Sequence, residues 1–270
     1  MAEHRIDEEN SLFYLHEAPR RGGAPTFLFV NALTGSTDHW EAVVAPALRQ
    51  AGYGTLSYNF RGQAGSEFSA ELELDNELIV QDILAINAAL KPEKPILVGL
   101  SIGGLFAAQA RAAGLDCTGL VLLNTLRKIG PRIAWINDAL PRVVAEGGVR
   151  LFMDATFPLV VNPEYAAKMR PNFLQGAYEP LDAGHGHMNL MRNSPKTDWE
   201  FDWASLDLPV LSITGEHDRV FRDAAVIDEL FALLPQARRE DWDDCGHLVP
   251  LERPEKLAES LIRFGAELEA

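Results

Sequence analysis

A chain of 270 residues has room for one large domain or two small ones and for a substantial buried core. Its hydrophobic share of 47% and charged share of 23% are those of an ordinary folded protein, which excludes a disordered, collagen-like or low-complexity chain. Asp and Glu number 39 against 24 Lys and Arg, and the formal net charge of -15 repels phosphate backbones and anionic lipid surfaces, so neither nucleic acid nor a membrane is an expected partner.

In chain order, the stretch Met1 to Asn10 is charged and has no apolar segment of the signal-peptide kind. No later run approaches the ~18 apolar residues of a membrane span, so the expectation is a cytoplasmic protein. Thr26 to Val30 and Gly54 to Tyr58 are short apolar runs without the alternating polarity of a half-exposed strand, and they read as strands buried on both faces. Asn76 to Leu90 places Ile79, Ile83, Ile86 and Leu90 on one helical face. Pro95 to Gly99 is a third buried strand, followed by a small-residue helix from Gly104 to Ala113 and a fourth strand at Gly119 to Leu123. From Leu126 to about Ala204 the rhythm breaks: prolines at 131, 141, 158, 163, 171, 180 and 195 predict pieces too short to cover a sheet. The strand pattern resumes at Val210 to Ile213, with helices at Asp223 to Leu234 and Glu255 to Leu268 and a strand ending near Trp242. Alternation of this length predicts a doubly wound, mostly parallel α/β sheet. The expected division is a core at 1–125, a helical cap at 126–204 inserted after the sixth strand, and the rest of the core at 205–270.

The chemistry concentrates in four places. Gly99-Leu100-Ser101-Ile102-Gly103 lies between a buried strand and a helix, the context of a nucleophile elbow, where flanking glycines avoid collisions in a sharp turn and the helix N-terminus favours developing negative charge. A serine nucleophile needs a base, and the base an orienting acid. Of 7 histidines, His247 lies in the loop before the last helix, in Asp244-Cys245-Gly246-His247, and Asp218 follows the strand at Val210 to Ile213. The chain order Ser101, Asp218, His247 is that of an elbow hydrolase. An oxyanion hole would take one backbone N–H from Ile102 and one from the loop Asn31-Ala32-Leu33-Thr34-Gly35-Ser36, where position favours Leu33.

These residues resemble the α/β-hydrolase superfamily across nearly the whole chain outside the cap. Asn59-Phe60-Arg61-Gly62-Gln63-Ala64-Gly65-Ser66 is similar to the superfamily's D-x-R-G-x-G-x-S loop, although Asn59 stands where Asp is usual and Asn31-Ala32 where His-Gly is usual. Asn31, the Gly-Leu-Ser-Ile-Gly-Gly elbow and Asn124-Thr125-Leu126-Arg127-Lys128-Ile129-Gly130 resemble the 3-oxoadipate enol-lactonase branch. The run from Asn31 to Gly35 is also similar to the oxyanion loop of homoserine O-acetyltransferases, which are longer chains. A serine at the elbow argues against the dehalogenases and epoxide hydrolases of this fold, which use aspartate.

The resemblance implies a serine hydrolase acting on a carboxylic ester or lactone through an acyl-enzyme, with a small molecule as its partner and no metal or organic cofactor. Acyl transfer, thioester or C–C cleavage, and a non-catalytic ligand-binding member are the alternatives, and a homo-oligomer is left open. Asn31, Arg127, His185 and His187 are the candidate substrate contacts. His185 and His187 lack a third ligand in sequence, so no metal site is expected. Cys117 and Cys245 are far apart and suggest neither a zinc cluster nor a disulfide.

Overall fold

The computed structural model describes residues 2–269; Met1 and Ala270, the outer limits of the expected core segments, lie outside the described residues. Eight strands form a single sheet: β1 (Ala2–Arg5), β2 (Ser11–Glu17), β3 (Thr26–Val30), β4 (Gly54–Tyr58), β5 (Ile96–Leu100), β6 (Gly119–Leu123), β7 (Val210–Gly215) and β8 (Ala237–Trp242). Their spatial order is β1-β2-β4-β3-β5-β6-β7-β8, antiparallel as far as the β2–β4 pair and parallel from there on. The five expected buried strands are all present, and β1 and β2 are additions at the edge.

Helices cover both faces because each central strand is apolar on both. On one side Leu28, Leu97 and Leu122 pack with Ile79, Ile83 and Ile86 of α3 (Asn76–Leu90) and Leu105 and Phe106 of α4 (Ile102–Ala112). On the other, Phe27, Phe29, Val98 and Val121 meet Trp40 of α1 (Asp38–Glu41), Leu48 of α2 (Val44–Gln50) and a C-terminal helix, Pro254–Glu269. Leu257, Leu261 and Phe264 of that helix recur at helical spacing and are nearly inaccessible, each contributing about 1.5–3 kcal/mol of burial.

The segment between β6 and β7 is helical but not in the short pieces expected. α5 (Pro131–Val160) consists of two helical halves, with Pro141 inside the first and Pro158 inside the second, separated by a break at Gly147 and Gly148, where φ at Gly148 is +69°. The physical reason is that Pro131 occupies the first turn, where no N–H is missed, and Pro141 costs one i to i−4 bond, whereas a left-handed residue ends the helical path outright. α6 (Pro163–Met169) and α7 (Gly186–Asn193) follow, then α8 (Ala224–Phe231), α9 (Val249–Glu252) and α10 (Pro254–Glu269) complete the chain. Among the described residues no helix is long and apolar enough to cross a membrane. Cys117 and Cys245 are free, buried thiols.

Strands β3 to β8 are parallel, so their carboxyl ends share one edge. The order β4-β3-β5 reverses direction at β3, which opens a crevice at that edge of the kind where open α/β sheets bind ligands.

Candidate active site

Ser101 stands between β5 and α4 with φ +59° and ψ −123°, a strained conformation for a residue with a Cβ. The turn survives because its neighbours are glycines: a Cβ on Gly99 would lie 2.3 Å from Gly104 Cα, and one on Gly103 would lie 2.4 Å from the Asn31 carbonyl oxygen. The Ser101 N–H is held by the Leu123 carbonyl at 2.7 Å, so β6 fixes the elbow.

His247 and Asp218 come together from the loops after β8 and β7. His247 Nδ1 lies 2.6 Å from Asp218 Oδ2, and both residues are buried. A carboxylate only accepts, so Nδ1 carries the proton and Nε2 is left as an acceptor. The second Asp218 oxygen takes the N–H groups of Val220 and Phe221 at 3.0 and 2.9 Å. Burial acts to raise the Asp218 carboxyl, but the facing His247, the Phe221 amide and the Arg127 charge outweigh it and leave it below its ordinary value. Ser101 and His247 line one cavity of about 110 Å³, although among the described residues no hydrogen bond joins Ser101 Oγ to the imidazole.

The loop after β3, the candidate oxyanion loop, is anchored by a buried polar network. Asn31 Nδ2 donates to the Tyr58 carbonyl, Asn59 Oδ1 and Gln63 Oε1 at 3.0–3.1 Å, while Asn31 Oδ1 accepts from the Trp40 indole at 2.7 Å. Gln63 Nε2 donates to the carbonyls of Ala32 and Leu33, which fixes the backbone of the candidate donor Leu33. Leu33 and Ile102 both line the cavity. Asn31, an expected substrate contact, is engaged in this network through its side chain, and it is not among the described residues lining the cavity.

His185 and His187, two further expected contacts, are likewise not among the described residues lining the cavity. His185 caps α7 by accepting the His187 N–H at 3.2 Å, and neither ring lines the Ser101 cavity, because α7 turns its buried face, Met191 included, inward instead. Among the described residues no three His, Cys, Asp or Glu side chains cluster as metal ligands.

Arg127, the remaining expected contact, lines the cavity and is heavily engaged within the protein. It is buried, its Nη2 donates to Ser101 Oγ at 2.7 Å and to the Asn124 carbonyl at 2.9 Å, and its guanidinium carbon lies 4.6 and 4.8 Å from the ring centres of Trp199 and Phe221. Burial pushes its pKa down to about 10, so it is still a cation at neutral pH.

Two residues were missed as functional. Asn124, at φ +50° after β6, donates to the carbonyls of Gly246 and His247 and accepts the Gly215 N–H, stitching the acid and histidine loops to the sheet. Glu252 is buried, and among the described residues its carboxylate makes no salt bridge; it accepts the N–H groups of Gly246 and Leu248, which flank His247, and both the backbone and side-chain N–H groups of Asn162 just beyond α5. The only sequence signal for Glu252 is its place on a short turn five residues after the histidine.

The family described as alpha/beta hydrolase fold matches residues 25–254. The chain is 28% identical over 249 residues to 3-oxoadipate enol-lactonase 1 of Acinetobacter baylyi, covering 89% of this chain and 88% of that one. Among solved structures, the alpha/beta hydrolase enzyme MGS-M2 from a Medee basin deep-sea metagenome library superposes with a TM-score of 0.81 at 19% identity, covering 98% of this chain and 97% of the other. The enol-lactonase of Burkholderia xenovorans superposes at 0.77 and 23% identity, covering 94% and 96%. At these identities the two structural likenesses speak for the fold.

Proposed function

The chain belongs to the alpha/beta hydrolase fold family, and we propose that within it this protein is a serine hydrolase that cleaves a carboxylic ester or lactone through an acyl-enzyme. The observation that carries the reading is the convergence, in one cavity, of a serine on a strained elbow and a histidine whose ring is oriented by a buried carboxylate.

His247 Nε2 takes the Ser101 proton as Oγ attacks the carbonyl carbon, and Asp218 steadies the imidazolium that forms. The N–H groups of Leu33 and Ile102 bind the tetrahedral oxyanion. Collapse breaks the C–O bond to the leaving alcohol, which takes the proton back from His247. Water, deprotonated by the same imidazole, then attacks the acyl-enzyme and releases the acid with Ser101 restored. In the absence of a bound acyl group, Ser101 Oγ is held by Arg127, and a change of its side-chain torsion brings it toward Nε2; such bonds commonly tighten only with substrate present. No step calls for a metal or organic cofactor.

Residues 126–204 act in this reading as a lid: Leu140, Phe152, Val160, Met191 and Trp199 roof the cavity over core residues Leu33, Ser101 and His247. A cavity of about 110 Å³ under an apolar roof suits a small or medium acyl group or a lactone. A segment of this size has little room to exclude water and hold an acceptor as well, which favours hydrolysis over transfer.

A fluorophosphonate probe tests the assignment by labelling Ser101, and Ser101→Ala abolishes both labelling and turnover of p-nitrophenyl esters and lactones. Residual turnover within tenfold of wild type in that variant refutes it. Recovery of the acyl group mainly on added homoserine or another alcohol makes the protein a transferase instead.

A further inference from the structure

The cap holds a second compartment that the mechanism above does not use. It is a groove of about 240 Å³ between the two halves of α5 and the acid loop, and it reaches the surface at Trp135 and Leu159, which are 79% and 45% exposed. Ile136, Leu140 and Val143, at i, i+4 and i+7, form one wall along a single face of the first half. Trp135 and Thr156 are the only side chains of the described lining that carry a polar atom, and the Thr156 hydroxyl donates to the Phe152 carbonyl at 2.7 Å. With no charged group in that lining, the groove accepts an apolar, uncharged group and penalises a charged one. Leu140, Phe152, Thr156, Val160 and Phe221 line this groove and the Ser101 cavity alike, so the two compartments adjoin. The side on which they adjoin is that of the imidazole. The Phe221 ring centre lies 4.8 Å from that of His247, and the Val160 carbonyl accepts the His247 N–H. The oxyanion candidates Leu33 and Ile102 line the Ser101 cavity only, as do Met191 and Trp199.

We propose that this groove is the subsite for the leaving alcohol, and that the enzyme takes esters of an apolar, uncharged alcohol, linear or aromatic, with the smaller Ser101 cavity left for the acyl portion. The proposal rests on the serine-hydrolase reading above and adds the alcohol class and the choice of ester over lactone. When the tetrahedral intermediate collapses, the C–O bond breaks, its electron pair stays on the leaving oxygen, and that oxygen takes the proton from His247 Nε2. The alcohol therefore departs on the imidazole side, past Phe221 and Val160, while the acyl carbon stays bonded to Oγ beside the oxyanion donors. A lactone keeps its alcohol oxygen on the acyl chain and needs no second compartment. The length of the groove sets the size of the alcohol. From Ile136 to Val143 the helix rises about 10 Å, the span of an extended chain of roughly eight carbons. Burial of that chain between apolar walls, without any directional contact, makes the preference one of length and polarity, not of a particular alcohol.

The test follows acid release from two ester series. Lengthening the alcohol at constant acyl group, from ethyl to butyl to hexyl acetate, is expected to raise kcat/KM by about 2- to 4-fold per added methylene. Lengthening the acyl group at constant alcohol, from ethyl acetate to ethyl hexanoate, gains far less. A flat alcohol series, or an acyl series that gains as much, overturns the proposal. Ala139→Trp fills the groove from a half-buried position that does not line the Ser101 cavity, and it brings the ratio of hexyl to ethyl acetate toward one. An unchanged ratio in the folded variant overturns the proposal too, and if the variant does not fold the two wild-type series decide. A wild-type dimer that Ala139→Trp converts to monomer, together with a flat alcohol series, gives the groove to a second copy of the chain and overturns it. Failure of the hydrolase reading looks different: no ester of either series is cleaved and a fluorophosphonate does not label Ser101. Calorimetric titration with hexan-1-ol then decides the groove. Binding to wild type that is lost in Ala139→Trp upholds an alcohol site, and absence of binding, or binding unchanged in the variant, overturns it.

Discussion

Glu252 is the residue whose replacement tests most directly how the candidate base is held. Its Oε2 accepts three donors, the backbone and side-chain N–H groups of Asn162 at 2.7 and 2.8 Å and the Gly246 N–H at 2.9 Å, while Oε1 accepts the Leu248 N–H at 2.9 Å. Glu252→Gln can keep its oxygen toward the three, but its amide then faces the Leu248 N–H donor to donor; one unpaired donor costs about 1–3 kcal/mol. Glu252→Ala strands three backbone N–H groups, and with water reaching half-buried Leu248 the cost is about 3–6 kcal/mol. At ~2–4 °C per kcal/mol for a protein near this size, a loss of ~2 kcal/mol in the glutamine variant lowers the melting temperature by roughly 4–8 °C, and the alanine variant melts lower still. Because the lost donors flank His247, the rate of phosphonate labelling at Ser101, measured well below either transition, falls by about 10- to 100-fold from misplacement of the ring alone. An alanine variant that melts within about 1 °C of wild type and is labelled at the wild-type rate refutes the clasp.

Two further outcomes follow from the same geometry. EDTA leaves esterase activity unchanged, whereas loss on chelation that a divalent metal restores assigns His185 and His187 a metal after all. The Cys117 thiol is pushed up to about 11 by burial and the Cys245 thiol is raised by burial and by the Glu252 and Asp244 charges, so thiolate is scarce below that pH and iodoacetamide at pH 8 modifies neither cysteine of the folded protein within an hour; rapid double alkylation contradicts the burial.

What the sequence disclosed depended on how much of each feature is local. Strands buried on both faces leave continuous apolar runs, so Thr26–Val30, Gly54–Tyr58 and Gly119–Leu123 coincide with the observed β3, β4 and β6, and α3 matches its expected span. β1 and β2 were illegible because an edge strand such as Ala2–Arg5 is half exposed and charged, and its pairing partner, not its composition, makes it a strand. The elbow was readable because strand, serine, glycines and helix follow one another directly in the chain, even though Gly103 is required by the distant Asn31 carbonyl. The Asn31 network was not: an asparagine in a loop could equally face a ligand, and only the distant Tyr58, Asn59 and Gln63 decide that it faces inward.

The misread helix α5 leads to a coupling that the sequence concealed. Because the helix does not end at Pro141 or Pro158 but continues to Val160, its last carbonyl reaches the loop of the candidate base, where Val160 O accepts the His247 N–H at 2.5 Å. One residue on, Val161 leads to Asn162, which is bound by Glu252, and Glu252 holds the amides on either side of His247. The roof over the cavity and the base beneath it therefore share one hydrogen-bonded joint. The break at Gly147 and Gly148 lies at the opposite end of the roof's second half, where Gly148 alone can adopt its left-handed backbone. The glycine break and this joint therefore bracket the half-helix that carries Phe152, Met153 and Thr156 over Ser101, so the geometry of the roof and the position of His247 are set by the same few bonds.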